Sequence, residues 1–143
     1  MSQGENPNPM TTLYILWGSF CSTILVFMVI PQVLQNEIPP EQAEQTLNVF
    51  VPAFGFFSLM VVGTSLFLRN LLYFKKREGM TPEARRGAYQ STCIISWGMA
   101  ESIGILGFVA SFLSGNDYVV FPFAALSLVL MLFYAPRASH LSA

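Results

Sequence analysis

Four long apolar runs dominate the chain, at about residues 13–33, 47–74, 88–113 and 118–135, with polar segments between them. A helix needs about 20 mainly apolar residues to cross the hydrocarbon core of a bilayer. The pattern therefore predicts an all-α protein, an integral membrane four-helix bundle of antiparallel, up-down topology. A polar tail over 1–12 precedes the membrane domain, 13–136, and a short tail over 137–143 follows it.

Local signals refine these elements. Tyr14 and Trp17 near the start of the first run suit the membrane interface, and Pro31 marks or bends its far end. The segment Gln35 to Gln45, with Glu37, Pro39, Pro40, Glu41 and Glu44, reads as a wet acidic loop. The second run exceeds what a bilayer requires, so its helix tilts or projects into the cytoplasm; Pro52 sits near its beginning, where a missing donor costs least. Thr81 followed by Pro82 reads as an N-cap and first helical position, so the third helix starts before its span. Ser114-Gly115-Asn116-Asp117 forms a tight turn. The fourth run is the shortest and carries no charge; Pro122 lies near its first turn and Pro136 stops it.

Composition agrees with this picture. Of 143 residues 53% are hydrophobic and only 10% charged, too apolar for an ordinary soluble domain. The segment before the first run has no Lys or Arg and does not resemble a cleavable signal peptide. All seven basic residues, Arg69, Lys75, Lys76, Arg77, Arg85, Arg86 and Arg137, fall at the connector between the second and third runs or at the C-terminal end. Four spans put these regions on one side, which the positive-inside rule makes cytoplasmic. Both termini are then cytoplasmic, the loops with Glu37, Glu41, Glu44 and Asp117 face outward, and the expected location is the inner membrane of a bacterium.

One acid stands apart. Glu101 lies about halfway along the third span, near the bilayer midplane, and the only Lys, Arg or His within any span is Arg69, near the end of the second. An unpaired carboxylate there costs several kcal/mol to ionise, so the neutral acid is favoured. Such a group can exchange a proton or bind a cation, or it can donate a structural hydrogen bond to Ser22, Thr23, Ser58, Thr64 or Ser65. Beside it Ala100, Gly104, Gly107 and Ser111 recur at helical spacing, a stripe of small residues suited to close helix packing, with Glu101 at its border with Ile94, Ile105 and Phe108.

Other chemistry is scarce. Cys21 and Cys93 lie inside apolar runs without CxxC spacing and read as small buried hydrophobes. The lone His140 is in the tail, which excludes a bis-histidine haem site within the membrane. No nucleophile-base pair, paired carboxylates or glycine-rich phosphate loop is present. No catalytic residue, metal site, cofactor or nucleic-acid partner is expected; the basic connector could touch anionic lipid headgroups.

The run Trp97-Gly98-Met99-Ala100-Glu101-Ser102-Ile103-Gly104-Ile105-Leu106-Gly107-Phe108-Val109 resembles the carboxylate-bearing helix of the c subunit, or proteolipid, of rotary ATP synthases. The polar connector from Arg69-Asn70 through Thr81-Pro82-Glu83 to Arg86 is similar to that family's cytoplasmic loop, and the likeness extends over about residues 47–113. It implies that Glu101 is the ion-binding residue. The duplicated proteolipids of vacuolar-type enzymes carry their acid in the fourth span, and the glycine ladder of the first c-subunit helix has only Gly55 and Gly63 as counterparts here. Ala100-Glu101-Ser102-Ile103-Gly104 also resembles the Ala-Glu-x-Ile-Gly setting of small multidrug-resistance transporters, whose acid lies in the first span.

Three functions are expected on these grounds. The first is a proteolipid-like membrane protein in which Glu101 binds a proton or sodium ion, within a homo-oligomer or among other membrane subunits. The second is an accessory or assembly protein with a structural Glu101. The third is a small proton-coupled exporter.

Overall fold

The structure, a computed structural model, describes residues 9–34, 38–74 and 79–137, and all regular structure among them is helical. Helix α1 spans Pro9–Leu34. A second rod begins with α2, Pro40–Gln45, widens through a π-helical turn, Thr46–Phe50, into α3, Val51–Arg69, and ends in another π-helical turn, Asn70–Phe74. Helix α4, Pro82–Ser114, is followed by a 3₁₀ turn, Asp117–Val119, and α5, Val120–Phe133. Of the expected features, residues 1–8, Gln35 and Glu37, the connector residues Lys75, Lys76, Arg77 and Glu78, and His140 lie outside the described residues.

Three of the four rods are long and apolar enough to cross a membrane, and the fourth, Asp117–Phe133, is a shorter apolar helix. At helical rise it measures about 26 Å against a hydrocarbon core of about 30 Å. The expected loop between the first two runs is corrected as well, because its second half is helix. Pro40 occupies the first helical position, Ala43 donates from its backbone N–H to Pro39 O (3.0 Å), and Glu41 lies in the first turn. Proline at that position loses no intrahelical bond, and an acid there faces the positive end of the helix dipole. The π-helical turn directly precedes Pro52, whose ring would collide with the Asn48 carbonyl in a regular helix. Pro31 does not end α1, which continues to Leu34.

The start of α4 forms as its residues dictate. The Thr81 hydroxyl accepts from Ala84 N, and Pro82 opens the helix. Gly115 ends it at φ 60°, a left-handed conformation that glycine adopts without Cβ strain. Asn116 then caps the 3₁₀ turn, its Oδ1 accepting from Tyr118 N (3.0 Å).

Helix α4 is the centre of the fold, packing on α1, α3 and α5. Its buried positions, from Tyr89 through Trp97, Ala100 and Gly104 to Gly107 and Ser111, recur every three or four residues. Helix α5 runs back along α4: Ser127 Oγ donates to Ala100 O (2.6 Å) and Trp97 Nε1 to Tyr134 O (3.0 Å). Helix α1 runs the same way as α4, with Phe20 against Trp97 (6.1 Å between rings) and Phe27 against Phe108 (5.4 Å).

Helices α1 and α3 expose most of their apolar surface. In α3 the buried residues are Ser58 and Ser65, while Phe56, Phe57, Leu59, Met60 and Phe67 are exposed. In water this distribution is inverted, because it leaves a continuous apolar surface without a partner. In lipid it is the expected one: small hydroxyl residues pack and bond at helix contacts while large apolar ones face acyl chains. The arrangement supports a membrane protein directly from packing.

The early end of α5 creates a polar problem, since its last carbonyls have no intrahelical donors. Side chains from the other helices meet it. Trp17 Nε1 donates to Met131 O (2.9 Å), Trp97 Nε1 to Tyr134 O, and Tyr14 OH to Pro136 O (3.1 Å). Tyr89 OH accepts from Arg137 N (2.9 Å), and Ser65 Oγ shares a 2.6 Å hydrogen bond with Tyr134 OH. Trp17, expected as an interfacial anchor, turns its ring nitrogen toward α5.

Candidate functional site

Glu101 lies within α4, about 28 Å along the axis from Pro82 and about 20 Å from Ser114. It is partly buried. On one side of it the α4 surface is closed: Ala100 and Trp97 are fully buried, and Phe20 of α1 lies against the Trp97 indole. On the other side the surface is open, with Ile94, Gly98 and Ile105 exposed. The carboxyl therefore occupies the seam between the α1 contact and a free apolar flank.

Among the described residues Glu101 makes no hydrogen bond and no ion pair. The hydroxyls that could have held it are engaged within their own helices. Ser22 donates to Gly18 O (2.8 Å), Thr23 to Ser19 O (3.1 Å), Ser58 to Phe54 O (2.8 Å) and Thr64 to Met60 O (2.8 Å). Ser65 bonds Val62 O and Tyr134. A half-buried acid without an internal partner retains its full hydrogen-bonding capacity for a ligand, a partner chain or water.

The four small residues beside Glu101 are all buried, but in different ways. Ala100 presents its carbonyl to Ser127. At Gly104 an added Cβ would lie 3.6 Å from Ile24 Cγ1 and Ser127 Oγ, an ordinary contact. At Gly107 it would overlap Phe123 Cβ and lie 2.9 Å from Cγ. Ser111 Oγ donates to Asn116 O (2.9 Å), tying the end of α4 to the turn. The stripe is thus covered by α1, α5 and the α4–α5 turn inside one chain, and Gly107 is the glycine of α4 against which α5 stands closest.

Residues outside the expected set complete the interior. Ser65, Tyr89, Trp97, Ser127 and Tyr134 form the hydrogen bonds between helices. A signal for two of them exists in the sequence, since Tyr89 and Trp97 fall on one helical face with Ala100 and the glycines, where a polar tip needs an internal partner. Among the described residues no group of three or more His, Cys, Asp or Glu side chains could hold a metal ion. The thiols of Cys21 and Cys93 are free, the second buried. No protein-family model, curated protein or solved structure matches the chain.

Proposed function

We propose that this chain is a proteolipid-like membrane subunit in which Glu101 binds a proton or a sodium ion. The observation that carries the reading is an unpartnered carboxyl, deep within an apolar helix, at the edge of a face that lipid or another subunit covers. Ionisation at that depth requires a cation or a donor nearby, and the one basic side chain within a span, Arg69, lies over the Tyr134 ring and forms no ion pair with Glu101. The proton or sodium ion fills that role, with the charge handed over at a contact with another membrane subunit. The likeness of Trp97–Val109 to the carboxylate helix of the c subunit supports the same assignment. In this arrangement the four helices alternate direction across a bacterial inner membrane, with both termini on the basic, cytoplasmic side.

An accessory or assembly protein would offer the small-residue stripe as a surface for partner helices. That surface is occupied within the chain by α5 and α1, which favours the ion-binding reading. Partners would instead meet the open flank at Ile94, Gly98 and Ile105.

Carbodiimide labelling in native membranes tests the proposal, with Glu101→Gln as the blank. Labelling of the wild type at neutral pH that declines as the solution becomes alkaline, with protection by sodium if sodium is the ion, is the expected result. A Glu101 that is unreactive, or equally reactive at every pH and sodium concentration, refutes exchange. A small organic cation that protects it competitively would assign the site to an exporter.

A further inference from the structure

The seam between α1 and α4 differs in polarity on the two sides of Glu101. On α4, Gln90 precedes Glu101, while Phe108 and Phe112 follow it, and all three project within about 20° of its direction at 3.6 residues per turn. On α1, Ser19, Thr23 and Phe27 succeed one another at four-residue spacing. They share the face that meets this line, since the Phe27 ring stacks on Phe108 at 5.4 Å.

Toward the start of α4 the seam carries a string of polar groups. Gln90 is partly buried one turn past Arg86, and among the described residues its amide makes no hydrogen bond. Ser19 comes level with Trp97, where its neighbour Phe20 packs at 6.1 Å, and its hydroxyl is likewise unused. Thr23 adjoins Ile24, whose side chain reaches Gly104; its hydroxyl donates to Ser19 O and keeps its acceptor lone pairs. The rise of about 16 Å from Gln90 to Glu101 is thus divided by hydroxyls of α1. Gly98 leaves the flank open there, with nothing within 4 Å of the place a Cβ would take.

Toward the end of α4 the seam is sealed. Phe108 lies between Phe27 and Phe112, at 5.4 and 6.1 Å, and the line from Ile105 to Leu113 carries no polar side chain. No charged residue faces Glu101: α1 and α5 contain none, and α4 has no other between Arg86 and Ser114. The titratable groups of these helices are Tyr14, Cys21, Tyr89 and Cys93.

We infer that Glu101 exchanges its proton with one side of the membrane only, the side of Arg85 and Arg86 where α4 begins, and that Phe27 and Phe108 close the way to the other. The carboxyl gives its proton past Thr23, Ser19 and Gln90 to water at that end, becoming a carboxylate, and regains one by the reverse step. This direction rests on ion exchange at Glu101 as proposed above.

Sealed vesicles holding the full chain, sorted by whether external trypsin cleaves at Arg85 or Arg86, test it. A membrane-permeant carbodiimide is added while pH is set separately inside and outside. Labelling of Glu101 should fall when the Arg85–Arg86 side is made alkaline and stay unchanged when the opposite side alone is. Phe108→Ala should make labelling answer to both sides. Ser19→Ala combined with Gln90→Leu should slow the response to a pH jump about ten-fold while leaving its final level intact. Wild-type labelling that follows the opposite side, or both sides, overturns the inference and leaves ion binding at Glu101 in place, as does a folded Phe108→Ala chain that stays one-sided. If Phe108→Ala does not fold, the wild-type sidedness decides. Labelling indifferent to pH on either side refutes ion exchange itself, and this direction with it.

Discussion

Replacing Gly107 with alanine probes the tight contact between α4 and Phe123 of α5. The added methyl would overlap Phe123 Cβ, an atom fixed to the α5 backbone that cannot be moved by a rotamer change. Relief requires α4 and α5 to separate, which disturbs the Ser127–Ala100 and Trp97–Tyr134 hydrogen bonds as well. Overpacking of this kind costs about 1–3 kcal/mol, and the rigidity of the contact places Gly107→Ala near the upper end. Gly104→Ala is the matched comparison. Its methyl meets Ile24 and Ser127 at ordinary contact distance, and the gain in helix propensity from glycine to alanine, about 1 kcal/mol in water, is common to both substitutions. The two variants should therefore differ by about 3 kcal/mol, more than about a hundred-fold in the unfolding equilibrium. Equilibrium unfolding in micelles, followed by the fluorescence of Trp17 and Trp97, measures the difference. Equal stability of the two variants would refute the packing argument. Phe123→Ala should not rescue Gly107→Ala, because it leaves the obstructing Cβ in place.

Two further substitutions test the polar interior and the turn. Trp97→Phe removes the donor to Tyr134 O while keeping an aromatic ring; it should destabilise by about 2 kcal/mol in the same unfolding assay, and a loss below about 0.5 kcal/mol would show that the bond contributes little. Gly115→Ala places a Cβ in a left-handed conformation at the end of α4 and should cost about 1 kcal/mol, whereas Gly98→Ala, with no atom in reach of the new methyl, should not destabilise the fold.

Hydropathy alone located the four helical rods, because a run of apolar residues in lipid has few alternatives to a helix. The start of α4 was equally legible from Thr81 and Pro82, whose preferences are local. The helical turn at Pro40–Gln45 was hidden by its composition. Adjacent prolines and three nearby acids suggest a loop, yet one proline at the first position with Glu41 behind it is also how a helix begins. Helix α5 was read a little too long at both ends, since Tyr118 and Tyr134 are as apolar as a span but adopt other conformations. The isolation of Glu101 followed from the absence of basic residues in its own span and in the others, save Arg69, which lies at the end of α3. What no linear pattern contained was the use of each hydroxyl: whether Ser22 or Ser65 bonds its own helix, a neighbouring helix or Glu101 depends on helix rotation, which only packing settles.

The clasp around the end of α5 has a consequence for the order in which the protein is made. The side chains that meet that end, Tyr14 and Trp17, Ser65, Tyr89 and Trp97, belong to segments synthesised earlier, and helices inserted one by one associate afterwards. Helix α5 is then a keystone, entering a partly assembled arch whose polar groups are waiting for it. A chain interrupted after α4 would carry the Trp17 and Trp97 indoles without the carbonyls they donate to, a defect that membrane quality control can read. The arrival of α5 thereby completes the hydrogen bonding of the bundle interior.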